Sequence, residues 1–507
     1  MSKSFYITTP IYYINGKPSI GHAYTTIVAD ALARYHRTRS EEVFFLTGTD
    51  ENSQKNLEAA EKAGKGDDVK GYLNEMAALW ERTFDGLGIR FDRFIRTTES
   101  DHAKAVEKFW KTVEKTGDIY EGEYEGLYCK GCEAFVNESD LTPDGMCPMH
   151  LKKPDHIKEK NYFFKLTAYR EKLLAHIEAH PEFIQPNTRR NEIVSYIRDF
   201  MSDVSISRSS VATGLPVPGD DSQRIYVWFD ALINYLTGIG YGVDEDKFKK
   251  FWPANLHLVG KDILKFHCAL WPAMLMSAGI DLPKAVFAHG FFTIDGQKMS
   301  KSLGNIIDPV MVAQDYGNDA LRYYLLRDIR LGEDGDFSFK RLESRYQTEL
   351  GNELGNLNHR VLSMTEKYFG GLVPNKVDFS VSDKWATYEE ALENVAPHDA
   401  LDAVWSLIRE SNQRIENTKP WALAKEGKTE ELSNVMYILL ESLRHIAWML
   451  LPLLPDTAEK MFEQLGLDIG SELARSAMDA KEWGGLGKGQ VIKKGDPLFP
   501  RREFVTE

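Results

Sequence analysis

Cysteine is scarce in this chain, with four among 507 residues, and three of the four fall between positions 129 and 147. That number excludes a disulfide framework for so long a chain and points to a reducing compartment with one local cysteine site. Long apolar runs are missing too. The best candidate, YILLESLRHIAWMLLPLLP, is cut by Glu441, Arg444 and His445, so it does not supply the ~18 uncharged residues that a membrane span requires. MSKSFYITTP at the N-terminus lacks the apolar core of a secretory signal, and a cytoplasmic protein with no membrane partner is expected. Positive charge is in deficit: 62 Lys and Arg stand against 76 Asp and Glu, for a formal charge of −14. Global attraction to nucleic acid is thereby excluded, and a phosphate-bearing partner has to be held by a local basic site. Repeats and low-complexity tracts are absent as well. What is present is a 43% apolar fraction, ample for several packed cores and hence for a multi-domain globular protein.

The order of apolar segments defines the expected fold. FYITT and VFFLTGTD read as buried parallel strands, each followed by helical periodicity, in a βαβ rhythm. The rhythm resumes at IYVWFDALINYL, at LHLVG before KDILKFHCALWPAML, and at AVFAHGFFTI. Between these stretches, residues 120–161 turn to Gly, Glu, Cys and Pro with little periodicity, the mark of a loop-rich insertion. From Gly351 onward strand signals fade, and VWSLIRESNQRI and NVMYILLESLRHIAWMLL read as bundle helices. The expected class is α/β, a doubly wound parallel Rossmann-type sheet split by an insertion and followed by an all-α bundle.

Several residue patterns carry chemistry. In KPSIGHAYTTIVADALARY, the apolar spacing of Tyr24, Ile27, Val28, Ala31, Leu32 and Tyr35 starts a helix near Ser19 to Gly21. Gly21 and His22 then sit where free N–H groups and the helix dipole attract anions, although, taken alone, a simple cap with a surface histidine is the better reading. The stretch KMSKSLGN at 298–305 follows the turn signal Asp295-Gly296 and offers Lys298, Lys301, Ser300 and Ser302 to an anion, or is a solvated turn. Cys129, Cys132, Cys147 and His150 form CxxC, fourteen intervening residues and CxxH. Two such pairs close a tetrahedral, structural zinc shell; a disulfide is the alternative. Cys268 reads as a small buried side chain.

Other positions gain weight only in company. Asp50 follows the VFFL strand, at the edge where open α/β sheets bind ligands, or it caps the next helix. Trp228 and Tyr235 lie seven apart, and Ile263 and His267 four apart, so each pair shares a helix face; aromatic faces suit a thioether sulfur, yet most such residues are core. Asn356 and Arg360 project from one helix face, and Trp421 follows Lys419-Pro420. Stacking and edge contacts of this kind recognise single-stranded RNA loops, while a tryptophan more often packs.

TTPIYYINGKPSIGHAY, TGTDENSQK, YVWFDALINYL, HLVGKDILKFH, GQKMSKSLGN, LGNLNHRV and TKPWALAK, spread in this order to residue 426, resemble the methionyl-tRNA synthetase family of class I aminoacyl-tRNA synthetases. The resemblance implies ATP-dependent formation of methionyl-adenylate with release of pyrophosphate, then transfer of methionine to the 3′ end of tRNA(Met). It implies catalytic roles for His22, Lys298 and Lys301, and ATP binding by Gly21, His22, Gly260, His289, Gly290, Lys298, Met299, Ser300 and Lys301, with Mg2+ accompanying ATP. It assigns L-methionine to Pro10, Ile11, Tyr13, Asp50, Trp228, Tyr235, Ile263 and His267, the anticodon to Asn356, Arg360 and Trp421, and one structural Zn2+ to the cysteine insertion. Ser19 departs from the family's first signature, which normally begins with histidine.

The implied organisation is a first catalytic half over 1–117, a connective insertion over 118–224 with its zinc knuckle near 126–153, and a second catalytic half with the KMSKS loop over 225–325. A stem-contact linker over 326–350, a helical anticodon-binding domain over 351–490 and a tail over 491–507 complete it. A monomer is expected, since no β-rich appendage follows PLFPRREFVTE. Synthetases for leucine, isoleucine or valine would carry a larger editing insertion and a cysteinyl enzyme a catalytic zinc. A non-catalytic RNA-binding protein is disfavoured by the presence of His22, Asp50, Lys298 and Lys301.

Overall fold

The computed structural model describes residues 3–502 apart from 137, 139–140, 149–150, 210, 212 and 299–304. The chain divides into two compact units, one formed by Ser4–Pro18 with Phe44–His289 and the other by Met1–Lys3, Ser19–Val43 and Gly290–Glu507. The first unit holds a six-stranded sheet in the order Arg93–Arg96, Glu42–Asp50, Ser4–Tyr13, Leu256–Gly260, Val286–His289, Ile184–Gln185. Ser4–Tyr13 pairs parallel with Leu256–Gly260, which pairs parallel with Val286–His289; Glu42–Asp50 pairs parallel with Arg93–Arg96. Strand order reverses between Ser4–Tyr13 and Leu256–Gly260, the topological switch point of a doubly wound sheet. Tyr6, Leu46, Ile95, Val259, Val286 and Ala288 are buried in one core with Phe109, Trp110 and Trp271. Continuous apolar strands read correctly as two-sided burial.

The insertion departs from the loop-rich expectation. It contains a four-stranded antiparallel sheet, ordered Ala134–Val136, Ile119–Cys129, Asp155–Phe164, Val204–Ser205. Its two long strands pair over ten positions, from Ile119 opposite Phe164 to Tyr128 opposite Asp155. Apolar periodicity failed here because much of the ladder is exposed and charged: Lys158 bridges Glu123 at 2.9 Å and Glu125 at 2.7 Å. Cross-strand charge pairs stabilise such a ribbon without an apolar face.

The second unit is largely helical. Helices Pro397–Thr418 and Thr429–Leu450 bury long apolar stripes, including Trp405, Ile408, Met436, Leu443 and Met449. The charges that interrupt the apolar run at 441–445 are paired inside the bundle. Glu441 accepts from Arg444 at 2.8 Å and from the backbone N–H groups of Gly484, Gly485 and Leu486 at 2.7–3.0 Å. Burial alone would raise the Glu441 pKa, but His445, Arg444 and these amides together hold it well below its ordinary range. No helix among the described residues is long and apolar enough to cross a membrane.

Candidate active site

In the sheet unit, the expected amino-acid residues come from strand ends and the segments that follow. Pro10, Ile11 and Tyr13 close the Ser4–Tyr13 strand, and Asp50 ends its neighbour. Asp50 does not cap the next helix. That role falls to Ser53, whose Oγ accepts from the Lys55 N–H at 3.1 Å. Asp50 is instead only 3% exposed, receives the Asn52 N–H at 3.2 Å, and has its pKa raised well above the ordinary carboxyl value. Burial is the main cause, followed by the negative charges of Asp230 and Glu133. Asp230 is satisfied by His102 Nε2 at 2.9 Å and by Asn52 Nδ2 at 2.7 Å. Lys55 Nζ lies 4.2 Å from the centre of the Tyr13 ring. Burial and like charges thus disfavour the ionised carboxyl, and only a cation brought to this place would stabilise it in that form.

Beside these lie the aromatic walls. The single long helix expected across Trp228 and Tyr235 is broken at Ile233 into Val227–Leu232 and Asn234–Thr237. Trp228 stacks on Phe266 at 4.0 Å and 7° and meets His267 edge-on at 6.3 Å. His267 Nδ1 lies 3.0 Å from the Ile263 carbonyl and Nε2 lies 2.7 Å from Tyr235 Oη. Burial pushes the His267 pKa down to about 4. The ring is therefore neutral near pH 7, with its proton on Nδ1 donated to Ile263 and Nε2 accepting from Tyr235. Ile263 and Ile11 pack against the same core. The result is a neutral, largely apolar wall in which Tyr235 and His267 satisfy each other, suited to an unbranched chain ending in sulfur.

At the carboxyl ends of the next two strands, Gly260 stands opposite His289. A Cβ on Gly260 would lie 2.5 Å from Asp262 Oδ1, so a side chain here would displace the Asp262 carboxylate.

The second unit brings the two signature segments together. Ser19 is the N-cap of helix Ile20–Thr38, and His22 occupies its third helical position. The Ser19 N–H donates to His22 Nδ1 at 3.0 Å, with Ser19 Oγ also at 3.0 Å. The proton of a neutral His22 is thereby left on Nε2, at a helix N-terminus. Ser19 thus orients the histidine, a role its departure from the family signature did not suggest. The Ile20 N–H donates to Ile307 at 3.1 Å and Tyr24 meets Phe292 edge-on at 4.8 Å, which ties this helix to both flanks of the KMSKS segment. Asp30 reinforces the helix through a buried pair with Arg322 at 2.8 Å.

The run AVFAHGFFTI, expected as one strand, is two. Val286–His289 belongs to the parallel sheet, whereas Phe292–Ile294 joins a small sheet with Gln297–Lys298 and Gly335–Phe337. Asp295 and Gly296 turn this hairpin with φ of 46° and 77°, the left-handed pair that a tight two-residue turn demands. Asp336 accepts from Thr293 Oγ1 at 2.6 Å and from the Gly296 N–H at 2.7 Å. A Cβ on Gly290 would strike the Glu333 carbonyl at 2.2 Å. Lys298 ends the hairpin; Met299, Ser300 and Lys301 lie outside the described residues.

Among the helices, Asn356 opens Asn356–Phe369 and is exposed, and Arg360 pairs with Glu416 at 2.7 Å. Lys419 ends helix Pro397–Thr418 at φ 45°, and Pro420 starts the next helix. Trp421 is 44% exposed, so it is not a core tryptophan.

In the insertion, the Sγ atoms of Cys129, Cys132 and Cys147 lie within 4.8 Å of one another, with Cys132 and Cys147 at 3.5 Å. None of the three is disulfide-bonded. Their separation suits the ~3.8 Å edge of a tetrahedral thiolate shell with ~2.3 Å metal–sulfur bonds, and is far longer than a disulfide. The Cys132 N–H also points to Cys129 Sγ at 3.4 Å. The cluster could hold a metal ion. His150 lies outside the described residues.

The chain matches the family described as tRNA synthetases class I (M) over residues 5–156 and 144–362. It is 46% identical to the methionine–tRNA ligase of Thermotoga maritima, over 98% of this chain and 80% of that protein. With the methionine–tRNA ligase of Streptomyces coelicolor it shares 41% identity over 99% of this chain and 97% of that one. Mycobacterium tuberculosis methionyl-tRNA synthetase in complex with methionyl-adenylate superposes with a TM-score of 0.93 at 40% identity, covering 98% of this chain and 100% of the other.

Proposed function

Because this chain belongs to the methionyl-tRNA synthetases of class I, we propose that each described unit performs one part of methionine activation and charging. The chain is a methionine–tRNA ligase: it joins L-methionine to ATP as methionyl-adenylate and passes methionine to tRNA(Met). One observation carries the residue-level reading: a buried Asp50 carboxyl with no paired side-chain cation among the described residues, set among Asp230 and Glu133 and near a neutral aromatic wall. The Asp50 carboxylate takes the methionine ammonium, while Pro10, Ile11, Tyr13, Trp228, Tyr235, Ile263 and His267 enclose the side chain. With the ammonium fixed, a methionine carboxylate oxygen is free to attack the α-phosphorus of ATP in line, and the bond to the bridging oxygen of pyrophosphate breaks.

Gly21, Gly260, His289 and Gly290 are assigned to ATP on the resemblance of their sequence blocks. His22 Nε2–H donates to phosphate oxygen, Lys298 and Lys301 neutralise the departing pyrophosphate, and Met299 and Ser300 of the same segment contact ATP, Ser300 through its hydroxyl. Mg2+ bound with ATP would supply further charge neutralisation. The tRNA 3′-terminal hydroxyl then attacks the carbonyl carbon of the adenylate, and AMP leaves. ATP–pyrophosphate exchange measured with each amino acid in turn tests this assignment: methionine should be strongly preferred, and exchange driven best by leucine or cysteine would overturn it.

We propose that Cys129, Cys132, Cys147 and His150 hold one structural Zn2+, that the protein is monomeric, and that it works in the cytoplasm. Elemental analysis should find about one zinc per chain. Cys147→Ser should release it and lower the melting temperature of the insertion, because metal binding supplies much of a knuckle's folding energy. A metal-free protein with unchanged stability would remove the zinc.

Asn356, Arg360 and Trp421 are proposed to hold the anticodon. Trp421→Ala should cost about 1–3 kcal/mol of base stacking, lowering charging at limiting tRNA about ten- to a hundredfold. Methionine-dependent exchange and thermal stability should barely move; equal losses in both activities would end the anticodon role.

A further inference from the structure

Resting on the ammonium pocket just described, we infer that Glu133, the residue after the second cysteine of the insertion, is a second anion of that pocket and acts on the substrate ammonium together with Asp50. Glu133 is 2% exposed. Its Oε1 accepts from Ser53 Oγ at 2.7 Å and from the Lys55 N–H at 3.4 Å, which fixes the carboxylate at the start of the helix following Asp50. Its backbone carbonyl accepts from Tyr226 Oη at 2.7 Å. The second oxygen, Oε2, is buried and accepts no hydrogen bond from the described residues. A buried carboxylate oxygen left without a donor is costly unless a ligand supplies one.

After burial, the Glu133 charge is among the causes that raise the pKa of both Asp50 and Tyr13, two of the residues expected to hold methionine, and the Tyr13 hydroxyl also reaches the Glu133 carboxylate. The local balance of charge points the same way. Of the three buried carboxylates, Asp230 is engaged by His102 and Asn52. Lys55, whose charge acts on Asp50, already has its ammonium on the Tyr13 ring. A bound ammonium supplies the missing cation and up to three N–H donors, enough for the Asp50 carboxylate and the idle Glu133 oxygen together. Glu133 itself stands at φ 49°, a left-handed conformation that the knuckle turn and its hydrogen bonds maintain. The amino-acid pocket thus draws one of its charges from the cysteine-rich insertion.

Glu133→Gln decides the matter, since the amide oxygen can still accept from Ser53 and Lys55 while the charge is lost. In ATP–pyrophosphate exchange the KM for methionine should rise about 10- to 100-fold, with kcat and the KM for ATP within about threefold of the parent chain. The inhibition constant of methioninol, which keeps the ammonium and lacks the carboxylate, should rise by the same factor. Metal content and melting temperature should be unchanged. A methionine KM within twofold of the parent, or a loss of metal, stability and kcat in step with KM, would overturn the inference. Failure of the family assignment would appear separately, as a parent chain with no methionine-dependent exchange.

Discussion

Asp50→Asn should raise the methionine KM about 100- to 1000-fold and at the same time leave the protein as stable as before, or more so. The first half follows from the charge lost. Removing one partner of a buried ion pair costs roughly 3–5 kcal/mol, and each 1.4 kcal/mol is tenfold in affinity. The second half follows from the company Asp50 keeps. Its folded-state pKa is raised by burial and then by Asp230 and Glu133, so in the absence of ligand its ionised form opposes folding. An acid with a raised folded pKa costs nothing below its unfolded pKa and progressively more as pH climbs above it. The stability gain of Asp50→Asn should accordingly vanish near pH 4 and grow toward neutrality. The Asn52 N–H retains an oxygen acceptor in the variant. Exchange kinetics and thermal melts from pH 4 to 8 check both halves, and a variant that loses stability along with activity would return Asp50 to the folding machinery.

A stabilising mutation that abolishes binding is the signature of a site built against the protein's own interest in folding. The same tension explains which parts of the molecule could be read from the chain. VFFLTGTD and LHLVG are buried on both faces, so apolar content alone identified them as strands. The helix after Ser19 was legible because its apolar spacing and its cap agree. The ribbon Ile119–Cys129 with Asp155–Phe164 was not, because cross-strand Glu–Lys pairs replace the apolar alternation on which such reading depends. AVFAHGFFTI looked like one strand because nothing local marks the switch from the parallel sheet to the small hairpin sheet; that switch is set by the distant pairing of Phe292–Ile294 with Gly335–Phe337.

Among the site residues, chemistry-bearing motifs were visible and their supports were not. Asp50, Trp228 and His267 stand in recognisable blocks. Ser53, Asn52 and Glu133, which cap, bridge and charge the same pocket, are ordinary polar residues in sequence, and only the fold brings position 133 beside positions 50 to 55. A glutamate between CxxC and an apolar pair carries no signal on its own. The cue was at most that so polar a residue occupies the turn of a cysteine cluster, where burial is not anticipated. Ser19 taught the opposite lesson: a departure from a signature proved to orient the neighbouring histidine.

Lys301→Ala should slow methionyl-adenylate formation about 100- to 1000-fold while leaving the methionine affinity of the ATP-free protein unchanged. The described residues on either side of the loop explain the separation. Asp336 pins the hairpin through Thr293 and Gly296, and Ile307 receives the Ile20 N–H, so both ends of the KMSKS segment are anchored beside the helix that carries His22. The anchors belong to the second unit, whereas the residues proposed to hold methionine belong to the first. Loss of one cation that meets charge only as pyrophosphate departs should therefore remove about 3–4 kcal/mol from the transition state and nothing from methionine binding. The anchors are independent of the lysine side chain, so the variant should melt like the parent. Arginine at this position should restore only part of the rate, because its planar fork does not reproduce a compact ammonium. Single-turnover adenylate formation, with methionine binding followed by the fluorescence of Trp228 and its neighbours, separates the two quantities. Parent-like rates in Lys301→Ala, or an equal fall in methionine affinity, would take the loop out of the chemical step.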